Sequence, residues 1–132
     1  MICLTKDQAS ELLEHSKKES PNEVCGILAG KDTKVHKVYK MVNKDKSRTS
    51  FFMDPQEQLK VMKEIRNSGL DFIGIYHSHP ETKAYPSAHD VELAYYPEVS
   101  YVIVSLKDKD SPCMRSFRII DGKIAEEEVK IE

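Results

Sequence analysis

Two histidines flank a single serine in His77-Ser78-His79, and Ser87 and Asp90 follow shortly after. Side chains alternate along a strand, so residues at i and i+2 point to one side and two imidazoles can converge on one metal ion. The seven residues between His79 and Ser87 give the chain room to reverse and bring Asp90 back from the next helix. Two histidines and a carboxylate suit a catalytic zinc whose fourth position is open to water. Closed structural zinc sites draw mostly on cysteine, and none lies in this segment. Ser87 and Asp90 also fit a helix capping box, S-x-x-D. The two readings coexist, since the hydroxyl can cap the helix and still face the site. On that helix His89 faces away from Asp90, while His15 and His36 stand in charged surroundings and read as solvated. Glu23, between Pro21-Asn22 and an apolar run, reads by itself as an exposed turn residue. A zinc hydrolase needs a general base that takes a proton from water and delivers it to the leaving amine. Glu23 stands at the mouth of a predicted buried strand, where such a group could be held.

The elements that must position these residues are read from periodicity and caps. Thr5 and Gln8 form a capping-box pattern ahead of Leu12 and Leu13, predicting a helix over 6–18 that ends at Ser20-Pro21-Asn22. Val24 to Gly30 is a short run of small apolar residues, read as a buried strand, and Lys31-Asp32 turns the chain into a second strand over 34–42. Asp54-Pro55-Gln56-Glu57 starts a helix whose apolar face carries Leu59, Val61, Met62 and Ile65 and which ends at Asn67-Ser68-Gly69. Phe72 to Tyr76 is continuously apolar, the mark of a central strand buried on both sides, and it runs straight into His77. Ser87 opens a helix of about two turns to Tyr96, Val99 to Leu106 reads as another buried strand, and 114–120 with 123–131 reads as a hairpin around Asp121-Gly122. Strands and helices interleave, which predicts one α/β domain with a largely buried sheet.

Composition narrows the classes. The chain has 132 residues, 39% of them hydrophobic, with 20 Lys+Arg against 22 Asp+Glu and a formal net charge of −2. That balance argues against bulk binding to nucleic acid, and the ordinary apolar content argues against disorder. No apolar run approaches the ~18 residues of a membrane span, and MICLTKDQ lacks the basic and apolar stretches of a signal peptide. A cytoplasmic location is expected. Cys3, Cys25 and Cys113 are odd in number and scattered, so they read as reduced thiols packed as small hydrophobes. Seven Lys/Arg in 31–48 against Asp32 and Asp45 read as a solvated hairpin and loop, with a docking surface for an acidic partner as the alternative.

Taken together, these residues resemble the JAMM (MPN+) metalloprotease motif. The likeness is carried by His77-Ser78-His79-Pro80, by the spacing to Ser87-Ala88-His89-Asp90, and by Pro21-Asn22-Glu23-Val24-Cys25-Gly26-Ile27-Leu28-Ala29-Gly30. That last segment is similar to the one that bears the family's glutamate. The likeness continues through Asp54-Pro55, the 72–76 strand and the terminal hairpin, and it is nearest to the compact single-domain members of bacteria and archaea. It implies an α/β, cytidine-deaminase-like (JAB1/MPN) fold, a mixed β-sheet flanked by helices, as one domain over 1–132. It further implies one Zn2+ bound by His77, His79 and Asp90, with Glu23 as general acid/base and Ser87 stabilising the oxyanion or holding the water. Members of the family hydrolyse peptide or isopeptide bonds after the C-terminal Gly-Gly of ubiquitin-like proteins, including sulfur carriers and protein modifiers in prokaryotes. A second reading keeps the site but releases cysteine or another amino acid from a sulfur carrier's C-terminus. A third is a non-catalytic MPN-type scaffold, a class that usually lacks the metal ligands present here. A zinc deaminase is disfavoured, because the H-x-E and P-C-x-x-C arrangement it needs is absent.

Overall fold

A computed structural model describes residues 1–132. In chain order the elements are β1 (Ile2–Leu4), α1 (Lys6–Glu19), β2 (Cys25–Lys31), β3 (Lys34–Met41), α2 (Pro55–Asn67), β4 (Asp71–His79), α3 (Ala88–Glu92), β5 (Ser100–Ser105), β6 (Cys113–Ile120), β7 (Lys123–Glu127) and β8 (Val129–Ile131). The caps read from sequence form as hydrogen bonds. Thr5 Oγ1 accepts from Gln8 N at 3.1 Å while Gln8 Oε1 accepts from Thr5 N at 2.9 Å. At α2, Asp54 Oδ1 accepts from Gln56 N at 3.0 Å and Pro55 takes the first turn, where its missing N–H costs nothing.

All eight strands join one mixed sheet in the order β7-β6-β5-β4-β2-β3-β1-β8. The long apolar strand β4 lies inside it, antiparallel to β2 and parallel to β5. A crowded approach fixes β2 against β4: a Cβ at Gly26 would collide with the Tyr76 ring, so only glycine fits there. One apolar cluster joins Leu12 of α1 to Leu28, Tyr76, Val102 and Val104 on one face. The other joins Val61 and Ile65 of α2 to Ile27, Ile75, Ile103 and Phe117 on the opposite face. Helices therefore cover both faces, as an α/β layer arrangement demands.

Several expectations are corrected. The helix after Ser87 ends at Glu92 rather than Tyr96; the Tyr96 N–H is taken by the Tyr101 hydroxyl at 3.1 Å instead of an intrahelical carbonyl. The last strand of the hairpin breaks at Glu128, and β8 crosses to pair in parallel with β1, a short strand outside the predicted elements. Glu128 alone separates β7 and β8, at opposite margins of the ladder, so the sheet curls until its margins meet. Leu59 points to solvent, leaving Val61, Met62 and Ile65 as the inward face of α2. Cys113 is exposed, unlike Cys3 and Cys25. His15 is not free in solvent: its Nδ1 lies 2.8 Å from the Tyr76 hydroxyl.

Candidate metal centre

The last three residues of β4 divide between the sheet's faces. Ser78 turns toward α1, where its Oγ accepts from Val24 N at 2.8 Å, and its own N–H donates to Val24 O at 3.1 Å. This clamp extends the antiparallel register Cys25↔His77 by one step and sets Glu23 across from His79. His77 and His79 turn the other way, both buried. The helix cap closes the group. Asp90 N donates to Ser87 Oγ at 3.1 Å and Ser87 N donates to Asp90 Oδ2 at 2.9 Å, which aims the carboxylate inward from α3.

Three ligand-type atoms converge as a result. His77 Nε2 and His79 Nε2 lie 3.1 and 3.0 Å from Asp90 Oδ2 and 3.2 Å from each other. Donors bound to one tetrahedral zinc at about 2.0–2.1 Å stand roughly 3.3 Å apart, so this triangle has the dimensions of one face of such a shell. The tautomer fits as well. His79 Nδ1 donates to Lys83 O at 2.9 Å, which leaves the Nε2 lone pair directed at the centre. Burial by itself would raise the Asp90 pKa, but hydrogen bonds from the two histidines and from Ser87 hold it well below the usual carboxylate range. For His79 burial acts downward, and the bonds to Asp90 and the Lys83 carbonyl overcome it and raise the pKa. The donor set and spacing fit a divalent metal.

Glu23 is 4% exposed, against the expectation of a turn residue open to solvent. Its Oε1 has no hydrogen-bond partner. Burial, partly offset by His79 and reinforced by Asp90, pushes its pKa up to about 8. A buried carboxyl that titrates near neutrality can both take and give a proton there. Cys25, on the same face one residue pair away, is pushed up to about 12 chiefly by burial and is an inert thiol. His89 is exposed on α3, and His36 is exposed on β3.

Two residues that sequence reasoning passed over complete the surroundings. Asn43 Nδ2 donates to Glu23 O and to Ser50 O, each at 3.0 Å, and its Oδ1 accepts from Asp45 N and Phe52 N at 3.0 Å. It ties the chain bearing Glu23 to the 43–53 loop. That loop lays Phe51 on the His77 ring, with centroids 4.7 Å apart and planes at 28°. An asparagine followed by a polar run has the local signature of any turn, so its long-range role left no mark in the sequence.

A buried His-His-Asp cluster at the end of a central strand, facing a buried glutamate in a mixed α/β sheet, defines a metallopeptidase of the JAMM type. The chain belongs to the family of prokaryotic homologs of the JAB domain, whose model matches residues 5–120. It is 36% identical over 133 residues to the CysO-cysteine peptidase of Mycobacterium tuberculosis, covering 99% of this chain and 91% of that one. It is 34% identical over 113 residues to the desampylase of Haloferax volcanii, covering 79% and 80%. A protein of Desulfitobacterium hafniense solved in solution superposes with a TM-score of 0.91 at 43% identity, covering 100% of this chain and 93% of that one. No helix is long and apolar enough to cross a membrane.

Proposed function

We propose that the chain, as one catalytic domain, is a zinc-dependent peptidase or isopeptidase that hydrolyses the bond after the C-terminal diglycine of a ubiquitin-like or sulfur-carrier protein. The observation that carries this reading is a triangle of donor atoms 3.0–3.2 Å apart beside a buried carboxyl oxygen without a partner. His77, His79 and Asp90 would hold the ion, which when bound supplies a Lewis acid and makes water acidic enough to attack at neutral pH. Glu23 accepts a proton as the water oxygen bonds to the carbonyl carbon, then gives it to the nitrogen as the carbon–nitrogen bond breaks. The Ser87 hydroxyl accepts from Asp90 N and keeps its own proton free to donate to the oxygen on which charge develops. Phe51, stacked on His77, holds that ring and keeps water from one side of it. Glycines on the acyl side let the substrate backbone approach where a side chain would collide. The three free cysteines fit the reducing cytoplasm.

The name of the mycobacterial relative, CysO-cysteine peptidase, supports a second reading with the same chemistry, in which the amine that leaves belongs to cysteine or another single amino acid. Elemental mass spectrometry beside diglycine-fusion cleavage tests the proposal. The expected result is about one zinc per chain, lost in the His77→Ala/His79→Ala double variant, with Glu23→Gln keeping zinc but losing ~10²–10⁴-fold in rate. Zinc retained by the double variant, or full activity in Glu23→Gln, would overturn it.

A further inference from the structure

Beside the metal centre lies a cavity of about 160 Å3 that the chemistry above leaves unused. Its floor is Ile75, Tyr101, Ile103 and Ile119, supplied by the neighbouring strands β4, β5 and β6, and its inner end is His77 and Asp90 themselves. Two of the three phenols that line it, Tyr96 and Tyr101, have their polar ends occupied. Gln58 Nε2 donates to the Tyr96 hydroxyl at 3.1 Å, and the Tyr101 hydroxyl accepts from Tyr96 N at 3.1 Å. What faces the cavity is therefore mostly hydrocarbon. At its mouth stand Phe52 and Tyr95, 48% and 71% exposed, so it opens to solvent. An apolar cavity of about 150 Å3 is large enough to take benzene.

We infer that this cavity receives a leucine- or methionine-sized apolar side chain from the residue that follows the diglycine, on the leaving side of the cut bond. The inference rests on the diglycine reading: glycines on the acyl side have no side chain to offer, so the nearest one belongs to the leaving residue. Two of the three residues that meet at the metal centre form the inner wall, so a side chain seated there belongs next to the bond being cut. A methyl group leaves most of the space unfilled and forgoes its contacts, and a carboxylate there loses its water against a mostly apolar lining and stands beside the Asp90 carboxylate.

The test uses the zinc-loaded full chain and carrier fusions that place Ala, Leu, Met or Asp directly after Gly-Gly. Leu and Met are expected to exceed Ala in kcat/KM by at least about 10-fold, with Asp below Ala. Ile119→Phe, which fills the floor, should erase the Leu-over-Ala ratio; Leu93→Ala, at the partly exposed wall, should move the preference toward Phe and serves if the first variant does not fold. A second readout needs no hydrolysis. Leucinamide, but not glycinamide, should shift the methyl NMR signals of Ile75, Ile103 and Ile119 in metal-free protein, and Ile119→Phe or Leu93→Ala should alter that binding. Equal cleavage of Ala and Leu fusions overturns the pocket and leaves the diglycine reading standing. If no fusion is cleaved, the diglycine reading falls, and with it the assignment to the leaving side; failure of leucinamide to bind removes the pocket as well.

Discussion

Neighbouring residues of β4 serve opposite faces of the sheet, and the two faces treat buried polar atoms in opposite ways. Toward α1, the polar tips beside β4 are matched: the Tyr76 hydroxyl meets His15 Nδ1 at 2.8 Å, Ser78 Oγ takes the Val24 N–H at 2.8 Å, and Ser16 Oγ donates to Leu12 O at 2.7 Å. Toward α2 and α3, Nε2 of His77, Nε2 of His79 and Oδ2 of Asp90 crowd one point at 3.0–3.2 Å, and Glu23 Oε1 and His77 Nδ1 have no partner at all. An unsatisfied buried polar group costs about 1–3 kcal/mol, so these two atoms on the face that carries the metal centre are retained against stability. Polar atoms on the first face hold the sheet together, and those on the second are kept available for something that binds. Substitutions on the two faces should therefore differ in kind, those toward α1 costing stability alone and those toward α2 and α3 costing metal binding and turnover.

The largest contrast is expected at Asp90, which receives both histidines and the Ser87 N–H on one oxygen. Asp90→Asn keeps the shape and replaces a charged ligand by a neutral one. In the wild-type chain, zinc at 100-fold over its Kd should stabilise the fold by ~2.7 kcal/mol, read as a rise in Tm by calorimetry. Asp90→Asn should show little of that rise and no cleavage. An undiminished zinc shift would remove Asp90 from the ligand set.

Ser87→Ala comes next and separates two functions of one hydroxyl. Loss of the cap should cost ~1 kcal/mol, and loss of a donor to the developing oxyanion should lower kcat by ~10²-fold, with zinc still bound. Denaturant titration reads the first and steady-state kinetics the second. A lowered stability with unchanged kcat would leave Ser87 as a helix cap alone.

What was legible in the sequence follows the same division. Caps and strand periodicity are local, so Thr5 with Gln8, Asp54 with Pro55, Ser87 with Asp90, and the run from Phe72 into His77 announced themselves. The alternation of a strand was enough to put His77 and His79 on one side. Glu23 could be placed at the mouth of a predicted strand, but its burial was not legible and its role came through family likeness, because that burial depends on the Ser78 clamp and the 43–53 loop, both distant in sequence. Strands β1 and β8 have three residues each, too few for a period, and they exist because each supplies the other's hydrogen bonds. The stop of α3 at Glu92 escaped for a related reason: the Tyr101 hydroxyl that takes the Tyr96 N–H comes from β5. The unused cavity likewise belongs to three strands at once, and no stretch of sequence contains it.

The smallest effects belong to the α1 face, and their smallness is the test. Tyr76→Phe removes a hydroxyl whose partner, His15, is half-buried and within reach of water, so the cost should be about 0.5–1.5 kcal/mol with kcat unchanged. His15 adds a pH signature. Burial first, and Lys40 second, lower its pKa below the usual 6.5. Because the folded value lies below the unfolded one, the stability tied to the neutral ring is complete above 6.5 and is lost as pH falls through the lowered value. Urea titrations at about pH 7 and about pH 5 should therefore show a smaller loss for His15→Gln than for the wild-type chain. Both proteins should cleave a diglycine fusion at the same rate near neutral pH. A fall in kcat from either substitution would mean that the α1 face reaches through β4 to the metal centre, and the division between a holding face and a working face would no longer describe this sheet.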